Sequence, residues 1–432
     1  MPAAPRTSAR PVPVQGDGAA YIARGDGYGG APARPRRLAL FTGNYNHIPD
    51  GVSLTLNRLV RHLEARGDEV LVFGPTVADP PMEHAGTFVP IPSLPAPGRS
   101  EYRLTVRFPR NVRERLDAFA PDLIHIATPD YLGIQALRWA KAHGIPAVAS
   151  YHTHFASYLK FYRLGFLEGA LWKAARWFYN QCERVFVPSE SVGDVLREHG
   201  IVAPIRLWTR GIESDRFSPA RRSASWREAL GFQTGVPVVS FVGRLVWEKG
   251  LDVFAEVVER LERAGIPHHS LVVGDGPVRE ELEARLTRTH FTGHLAGDDL
   301  AVAYASSDVF LFPSETETFG NVTLEAMASG IPTVCADAPG SRSLVEDGVT
   351  GFLCPPGEIA AFFDATASLV RSGGQRARMG AAARRAALAY DWTAIMNRLR
   401  ADYADVLGAP PVPEPVLSDP GARPAARPAV AW

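Results

Sequence analysis

The chain has 432 residues, and its 46 Lys plus Arg balance its 46 Asp plus Glu, so the formal net charge is zero. That length exceeds one compact core and predicts two domains. A composition with 46% hydrophobic and 21% charged residues is typical of a globular protein, and the balanced charge gives no support to nucleic acid as a partner.

Cysteine usage and the lack of targeting signals predict a cytoplasmic location. The three cysteines, Cys182, Cys335 and Cys354, form no C-x-x-C pair, which predicts reduced thiols and no zinc site. No apolar run reaches the ~18 residues of a membrane span, and no apolar segment follows the charges near the N-terminus. Peripheral contact with the inner face of the membrane stays open as an alternative.

Residues 1–36 begin the chain with a stretch rich in Pro, Ala, Gly and Arg that has no periodic apolar pattern. We predict a disordered tail. Its glycines are no dinucleotide fingerprint, because no strand precedes them.

A first set of strands and helices occupies residues 37–210. Apolar residues at helical spacing predict a helix over 54–66, which ends at Gly67. Since strands and helices alternate, we expect a parallel sheet. Short apolar runs predict its strands at Arg37–Phe41, 70–73, Leu123–Ile126, Ala147–Ser150 and Arg184–Val187.

The pattern repeats over residues 211–390, after a boundary between Arg210 and Gly235, and it includes a helix over 251–264. Strands are predicted at Val238–Val242, 270–273, Val309–Phe312 and Thr333–Ala336. Residues 391–408 form a last helix, whose packing on the first domain is left open, and residues 409–432 form a second disordered tail. The predicted fold class is α/β, with two Rossmann-like parallel-sheet domains that face a cleft and ligands at the carboxyl ends of the strands.

Two cations follow the first strand of the second set. Gly243 and Arg244 come directly after it, and Lys249 stands five residues further on, just before Gly250. Two fixed cations beside a helix N-terminus suit a pyrophosphate, because their charge adds to the helix dipole and to backbone donors. The alternative is a solvated pair of charges on a loop.

Two carboxylates follow the strand Val309–Phe312. Glu317 is expected at the tip of the loop, and Glu325 about two turns further along a helix that starts near Asn321. Carboxylates in a cleft hold sugar or ribose hydroxyls by accepting paired hydrogen bonds. Alternatively, Glu317 only favours the helix N-terminus, and Glu325 is a buried carboxylate that needs a partner.

Two histidines, His152 and His154, follow the strand Ala147–Ser150. The spacing is that of a metal pair, but no third ligand stands nearby in the sequence. A single histidine that bonds a substrate hydroxyl or phosphate is one interpretation, and a structural pair is the other.

Three glycine-containing turns are weaker candidates. Gly51 would let the backbone approach a phosphate, although Asp50 or Ser53 could simply cap the next helix. Gly276 and His294 also lie just beyond predicted strands and could line a pocket for a base.

The second domain resembles the family-four retaining glycosyltransferases of GT-B fold. The first domain resembles them more loosely, through Gly51 and Tyr151-His152-Thr153-His154, and residues 150–189 are most similar to the sulfoquinovosyl-diacylglycerol synthases and related mannosyltransferases. In the second domain the motifs occur in the family's order: Gly243-Arg244, Lys249-Gly250, Gly274-Asp275-Gly276-Pro277, Phe291-Thr292-Gly293, Glu317-Thr318-Phe319-Gly320 and Glu325-Ala326-Met327-Ala328-Ser329-Gly330.

The resemblance implies a role for each matching residue. Arg244 and Lys249 would hold the donor diphosphate, and Glu317 and His152 would approach the transferred sugar. Glu325 would hold the ribose hydroxyls. The implied catalytic residues are His152, Arg244, Lys249 and Glu317. The remaining implied donor-binding residues are Gly51, Gly243, Gly276, His294, Leu295, Phe319, Gly320, Asn321 and Val322.

The chain departs from the family pattern at Thr318 and Asp50, where members often have glycine, and this leaves the loop geometry open. The implied reaction retains the anomeric configuration and needs neither a metal nor a cofactor beyond the nucleotide-diphosphate sugar. GDP-mannose and a UDP-linked hexose both remain possible donors, since the base would be read by backbone groups near His294 and Leu295.

Residues 155–179 mix aromatic and basic side chains in a way that suits an anionic membrane surface and a lipid-linked acceptor. The alternative is a pair of helices in the core of the first domain. The residues concerned are Phe155, Tyr158, Lys160, Phe161, Tyr162, Arg163, Phe166, Trp172, Lys173, Arg176, Trp177, Phe178 and Tyr179.

Two other functions stay open from the sequence alone. One is a nucleotide-sugar epimerase of GT-B-like fold, which would release sugar and nucleotide without an acceptor. The other is a non-catalytic protein that binds a sugar nucleotide. The joint presence of Arg244, Lys249, Glu317 and Glu325 argues against the second, since decay usually removes some of these residues.

Overall fold

A computed structural model describes residues 35–96, 99–152 and 168–408 of the chain. The predicted N-terminal tail up to residue 34 and the predicted C-terminal tail at 409–432 lie outside the described residues. His154 and the aromatic and basic residues between 155 and 166 also lie outside them.

The first half of the chain forms a parallel sheet and a small hairpin. The strands are β1 (Arg37–Phe41), β2 (Glu69–Gly74), β3 (Thr87–Pro90), β4 (Ser93–Ala96), β5 (Arg99–Thr105), β6 (Leu123–Ile126), β7 (Ala147–Ser150), β8 (Arg184–Val187) and β9 (Ile205–Leu207). Seven of them pair in parallel in the order β3-β2-β1-β6-β7-β8-β9, and β4 and β5 pair antiparallel. All four residues of β6 are buried, as expected for a central strand covered by helices on both faces.

The second half forms a six-stranded parallel sheet. Its strands are β10 (Val238–Val242), β11 (His269–Val273), β12 (His290–Gly293), β13 (Val309–Phe312), β14 (Thr333–Ala336) and β15 (Gly351–Cys354). The order is β12-β11-β10-β13-β14-β15. The chain runs outward from β10 to β12 and then crosses to β13 on the other side of β10, so the loops after β10 and β13 diverge. Such a switch point leaves a crevice at the carboxyl ends of the strands.

Helices connect the strands of both sheets. In the described residues of the first half they are α1 (Gly51–Glu64), α2 (Arg110–Phe119), α3 (Tyr131–His143), α4 (Glu168–Tyr179) and α5 (Glu190–Glu198). In the second half they are α6 (Ala224–Ala229), α7 (Leu251–Arg263), α8 (Arg279–Arg285), α9 (Gly297–Ala305), α10 (Asn321–Ala328), α11 (Pro339–Arg342), α12 (Ile359–Arg371), α13 (Gly373–Ala387) and α14 (Trp392–Val406). Short 3₁₀ turns lie at Pro219–Arg221 and Trp247–Lys249. No helix in these ranges is both long and apolar enough to cross a membrane.

The predicted α/β class with two parallel sheets is confirmed. The predicted strands occur where the apolar runs stand, and α7 begins at the predicted residue. Helix α1 begins three residues earlier than predicted, because the Asp50 side chain caps it. The sequence prediction assigned no range to β3, β4, β5, β9, β12 and β15. Strand β9 is three residues long and has an exposed arginine at its centre, so it is too short and too polar to form a recognisable apolar run.

The last described helix, α14, packs against the first sheet. Its Met396 and Tyr403 are buried in one hydrophobic cluster with Leu56 and Val60 of α1. Arg400 Nε lies 2.7 Å from Asp68 Oδ2 in the loop before β2. The chain therefore passes from the second sheet back to the first before the described residues end.

Candidate functional site

The loops after β10 and β13 bring a cation and a carboxylate together. Lys249 Nζ lies 2.5 Å from Glu317 Oε1 and 3.4 Å from Thr316 Oγ1. Both charged side chains are about one-fifth exposed. Since β10 and β13 are neighbours, their diverging loops are the walls of the crevice, and the pair faces a site accessible to a small molecule.

Arg244 lies in the loop after β10, five residues before Lys249. Its side chain is exposed, and no ion pair or side-chain hydrogen bond joins it to another residue within the described ranges. The glycines of the neighbouring loop, Gly274 and Gly276, allow two backbone segments to pack closely together. A Cβ atom on Gly274 would lie 1.9 Å from the Gly243 carbonyl oxygen, and one on Gly276 would lie 2.2 Å from that of Leu245. These glycines allow the loops after β10 and β11 to pack closely against each other, on either side of the Arg244 backbone.

The N-terminus of α10 offers free backbone donors beside Glu317. Gly320 precedes the helix with φ 92°, and no side chain caps the first turn. The Asn321 and Val322 amides lie among the first four N–H groups of the helix, which lack partners within it, and such a helix end attracts anions. Phe319 is 3% exposed and packs against Tyr390, so it anchors the loop.

Glu325 lies one turn further along α10 and is half-buried. Burial raises the pKa of its carboxyl to about 7, the nearby Tyr304 hydroxyl offsets part of the rise, and the charge of Glu213 adds to it. The protonated and ionised forms of this carboxyl are therefore both present near neutral pH.

The first domain approaches this site at Gly51. A Cβ atom there would lie 3.1 Å from Asn321 Nδ2, so the N-termini of α1 and α10 face each other. Asp50 caps α1 by accepting hydrogen bonds from the amides of Val52 and Ser53, which confirms the capping interpretation for Asp50. Asn44 Nδ2 also donates to this carboxylate, at 2.9 Å.

His152 lies at the end of β7 with its ring buried and both ring nitrogens engaged. Arg210 Nη2 lies 2.9 Å from Nδ1, and Ser150 Oγ lies 2.8 Å from Nε2. Because a guanidinium only donates, Nδ1 accepts, and the ring proton is on Nε2 and is donated to Ser150. Burial, and then the charges of Arg210 and His125, hold the pKa of His152 well below its usual value. The ring is therefore neutral.

The backbone of His152 contacts the second domain. Its carbonyl accepts a hydrogen bond from Thr318 Oγ1 at 3.3 Å, and Ser189 Oγ donates to the Thr318 carbonyl at 3.1 Å. Thr318, where the family often has glycine, thus links the two domains beside Glu317. No local pattern predicts this contact, because its partners come from different halves of the chain.

Two residues predicted to line a base pocket, His294 and Leu295, directly follow β12. His294 is exposed and Leu295 packs against the core of the second domain. Neither contacts the Lys249–Glu317 pair through a hydrogen bond. Their role in reading the base stays a prediction.

On α4, the aromatic and basic residues include both buried and exposed side chains. Trp172, Phe178 and Tyr179 are buried in the core of the first domain, which is the structural alternative for these three. Trp177 is 48% exposed, and Lys173 and Arg176 are exposed on the same helix. No group of three His, Cys, Asp or Glu side chains placed to hold a metal ion occurs in the described part of the chain.

Two family models match the chain, one for each half. The model for Glycosyltransferase Family 4 matches residues 49–216, and the model for Glycosyl transferases group 1 matches residues 236–372. The first range contains Gly51 and His152, and the second contains Lys249, Glu317 and Glu325.

Curated relatives cover most of the chain. A GDP-mannose-dependent alpha-mannosyltransferase from Mycolicibacterium smegmatis is 35% identical over 378 residues, which are 86% of this chain and 98% of the relative. A protein of the same name from Corynebacterium glutamicum is 34% identical over 87% of this chain and 90% of its own length. A sulfoquinovosyl transferase from Arabidopsis thaliana is 34% identical over 85% of this chain and 73% of its own length.

Solved structures show the same fold. A sucrose-phosphate synthase from Thermosynechococcus elongatus superposes with a TM-score of 0.70 at 20% identity, over 86% of this chain and 99% of that one. HepE from Anabaena, solved in complex with UDP and glucose, superposes with a TM-score of 0.66 at 20% identity, over 86% of this chain and 100% of that one. The two-domain GT-B architecture is thus shared across sequences of low identity.

Proposed function

This chain belongs to the glycosyltransferase family that the two matching models describe and uses a nucleotide-sugar donor, and we propose that it transfers a hexose to a lipid-linked acceptor with retention of configuration. The relatives favour a transferase over the epimerase and the binding protein that were open from sequence alone. The main support for the proposal is the pairing of Lys249 with Glu317 in the crevice. It places an ammonium that can bind a phosphate next to a carboxylate that can accept hydrogen bonds from sugar hydroxyls.

The donor diphosphate binds between Arg244, Lys249 and the N-terminus of α10. Arg244 is exposed and has no side-chain partner within the described residues, while Lys249 is held in place by Glu317. The facing helix end at Gly51 adds a backbone donor from the first domain. Glu325 receives the ribose hydroxyls, and Glu317 contacts the sugar.

The reaction proceeds on one face of the sugar. The acceptor oxygen forms a bond to the anomeric carbon while the bond from that carbon to the distal phosphate breaks, and the acceptor proton passes to a phosphate oxygen. Negative charge grows on the leaving diphosphate, so the fixed cations Arg244 and Lys249 stabilise the transition state more than the ground state. His152, with its neutral ring and its carbonyl at the domain interface, adjoins the transferred sugar.

We propose that the protein cations make a divalent metal unnecessary. Arg244 and Lys249 supply the positive charge that a metal provides in other diphosphate sites. Activity should persist in the presence of EDTA, and activity that returns only on adding Mg²⁺ or Mn²⁺ would contradict this proposal.

GDP-mannose is the donor that we propose. Two relatives at 34% and 35% identity are named as GDP-mannose-dependent enzymes. A panel of GDP- and UDP-linked sugars, with a lipid extract as acceptor and nucleotide release as the readout, tests the choice. Release with GDP-mannose that depends on the lipid supports the proposal. Release of free sugar without any acceptor, or no release with any donor, rejects it.

The lipid-linked acceptor is proposed to arrive over α4. Its exposed face carries Lys173, Arg176 and Trp177, a combination of cations and an aromatic ring that suits an anionic interface. Flotation with vesicles of phosphatidylglycerol and phosphatidylcholine measures the contact. Replacing Lys173 and Arg176 by Gln should reduce the bound fraction.

A matched control for this flotation removes two cations from the other half of the chain. Arg371 and Arg378 are exposed in the region of α12 and α13. Their replacement by Gln lowers the net charge equally and should leave flotation unchanged. Equal loss in both double variants would show only a general charge effect, and no binding by the unmodified protein would reject the membrane contact.

A further inference from the structure

The linker between the two sheets buries a cation that the family motifs do not include. Arg210 follows β9 by three residues and is 5% exposed. Its Nη2 donates to His152 Nδ1 at 2.9 Å, but its Nη1 is buried without a hydrogen-bond partner among the described residues. Trp208 packs beside the guanidinium, with the ring centroid 5.7 Å from Cζ.

The charge of Arg210 is not neutralised by a neighbouring carboxylate. Burial lowers the pKa of Arg210 to about 10, and the negative charge of Asp50 offsets only part of this decrease. The carboxylate of Asp50 accepts from two amides of α1 and from Asn44, and no ion pair within 4.0 Å joins it to Arg210. An uncompensated buried cation is costly, so a site that retains one is suited to an anion from outside.

Contacts around Arg210 place it at the interdomain crevice. Its partner His152 accepts from Thr318 through the backbone, and Thr318 is next to Glu317, which holds Lys249. Asp50 is next to Gly51, whose position faces Asn321 across the domains. The cation thus stands on the first-domain side of the crevice, one hydrogen-bonded residue away from the loop that holds Glu317.

We propose that Arg210 Nη1 binds an oxygen of the distal phosphate of the donor, the phosphate that carries the sugar. This inference rests on the proposed function, in which the nucleoside lies against the second domain at Glu325 and the sugar lies near His152. The distal phosphate is bonded to the sugar, so a first-domain cation beside His152 meets it rather than the proximal phosphate. A guanidinium whose other nitrogen is fixed by a histidine is oriented in advance for such a contact.

Calorimetric binding of nucleoside diphosphates and monophosphates tests the assignment without any turnover. GDP and UDP are compared with GMP and UMP in the full-length protein and in the variants Arg210→Met and Arg210→Lys. We expect Arg210→Met to reduce the preference for diphosphate over monophosphate about tenfold, with monophosphate affinity changed less than about twofold. Arg210→Lys should restore part of the preference, because the charge remains and the fork is lost.

Thermal unfolding shows whether these variants fold. We expect Arg210→Met to unfold no earlier than the unmodified protein without ligand, because the change removes an uncompensated charge. The control is Arg227, which is 7% exposed and bonded to Asp308 and to two carbonyls in the second domain. Arg227→Lys should lower stability and leave the diphosphate preference intact.

An unchanged diphosphate preference in both Arg210 variants would overturn the assignment. The assignment would also be overturned if the Arg210 variants changed only the KM for an anionic lipid acceptor. That result would mean that Arg210 binds the acceptor and not the donor. Failure of the proposed function shows itself separately, as absence of sugar transfer by the unmodified protein, and the ratio of binding constants does not depend on transfer.

Discussion

Lys249 and Glu317 form an ion pair across the loops after β10 and β13, with Nζ 2.5 Å from Oε1, although 68 positions separate them in the chain. The carboxylate keeps the lysine ammonium extended into the crevice and partly neutralises it. A diphosphate that binds there shares the ammonium with Glu317, so the two side chains act as one unit.

Removing the cation of this pair should cost most of the catalytic rate. We expect Lys249→Ala to lower kcat/KM for the donor by at least ~100-fold, as for other preorganised contacts to a developing anion. Steady-state nucleotide release measures the change. Lys141→Ala is the control, since Lys141 is an exposed lysine bonded to Gln181 on the first domain. Near-normal turnover in Lys249→Ala would contradict the placement of the diphosphate.

The carboxyl of Glu325 should make donor binding depend on pH. Its pKa is raised to about 7, so the ionised form is the minor form at pH 6 and the major one at pH 8. In the proposed site this ionised form accepts hydrogen bonds from the two ribose hydroxyls. Relative to Glu325→Gln, the unmodified protein should gain about tenfold in nucleoside diphosphate affinity over that interval. Glu325→Ala should lower donor turnover by at least ~100-fold.

Calorimetry at pH 6, 7 and 8 with both proteins checks this dependence, and the comparison cancels the titration of the phosphate itself. A 2′-deoxynucleoside diphosphate serves as the control ligand, because it lacks one of the two hydroxyls and should show a weaker dependence. Parallel pH curves for the two proteins would show that Glu325 does not hold the ribose.

The same raised pKa has a consequence for stability. Between the ordinary value of 4.5 and about 7 the folded protein holds a proton that the unfolded chain releases. The contribution of Glu325 to the free energy of unfolding therefore falls as pH rises through this window. Urea unfolding should show that Glu325→Gln gains stability relative to the unmodified protein as pH increases from 5 to 8.

Tyr403 of α14 should stabilise the first domain through one buried hydrogen bond. Its hydroxyl lies 2.5 Å from His125 Nδ1, and His125 Nε2 lies 3.0 Å from Ser150 Oγ. Burial lowers the pKa of His125 to about 3, so the ring is neutral. In Tyr403→Phe, the buried Nδ1 atom of His125 loses its hydrogen-bond partner and has no replacement. We expect Tyr403→Phe to reduce the free energy of unfolding by about 1–3 kcal/mol.

Urea denaturation measures this loss, with Tyr131→Phe as the control because the Tyr131 side chain is 44% exposed. Equal stability of Tyr403→Phe and the unmodified protein would mean that the hydrogen bond from Tyr403 to His125 does not contribute to holding α14 on the first domain.

The sequence alone was sufficient to predict the two parallel sheets, most strands and the loops after β10 and β13 that hold Lys249 and Glu317. These features depend on local causes. Apolar runs such as Val238–Val242 favour buried strands whatever lies elsewhere, and short polar loops such as the one that holds Arg244 must follow them at one edge of the sheet. Asp50 was a candidate cap for the same reason, since a cap and its helix are adjacent in the chain.

Only the tertiary structure decided which of these groups meet. The pairing of Lys249 with Glu317, the approach of Gly51 to Asn321 and the return of α14 to the first sheet join residues far apart in the chain. Arg210 shows the difference most clearly. As a residue in a linker it is indistinguishable from a solvated charge in the sequence. Its burial beside His152 and Trp208, with one nitrogen lacking a partner among the described residues, arises only in the folded protein. Local patterns carry secondary structure, whereas burial and charge pairing depend on contacts that no local pattern contains.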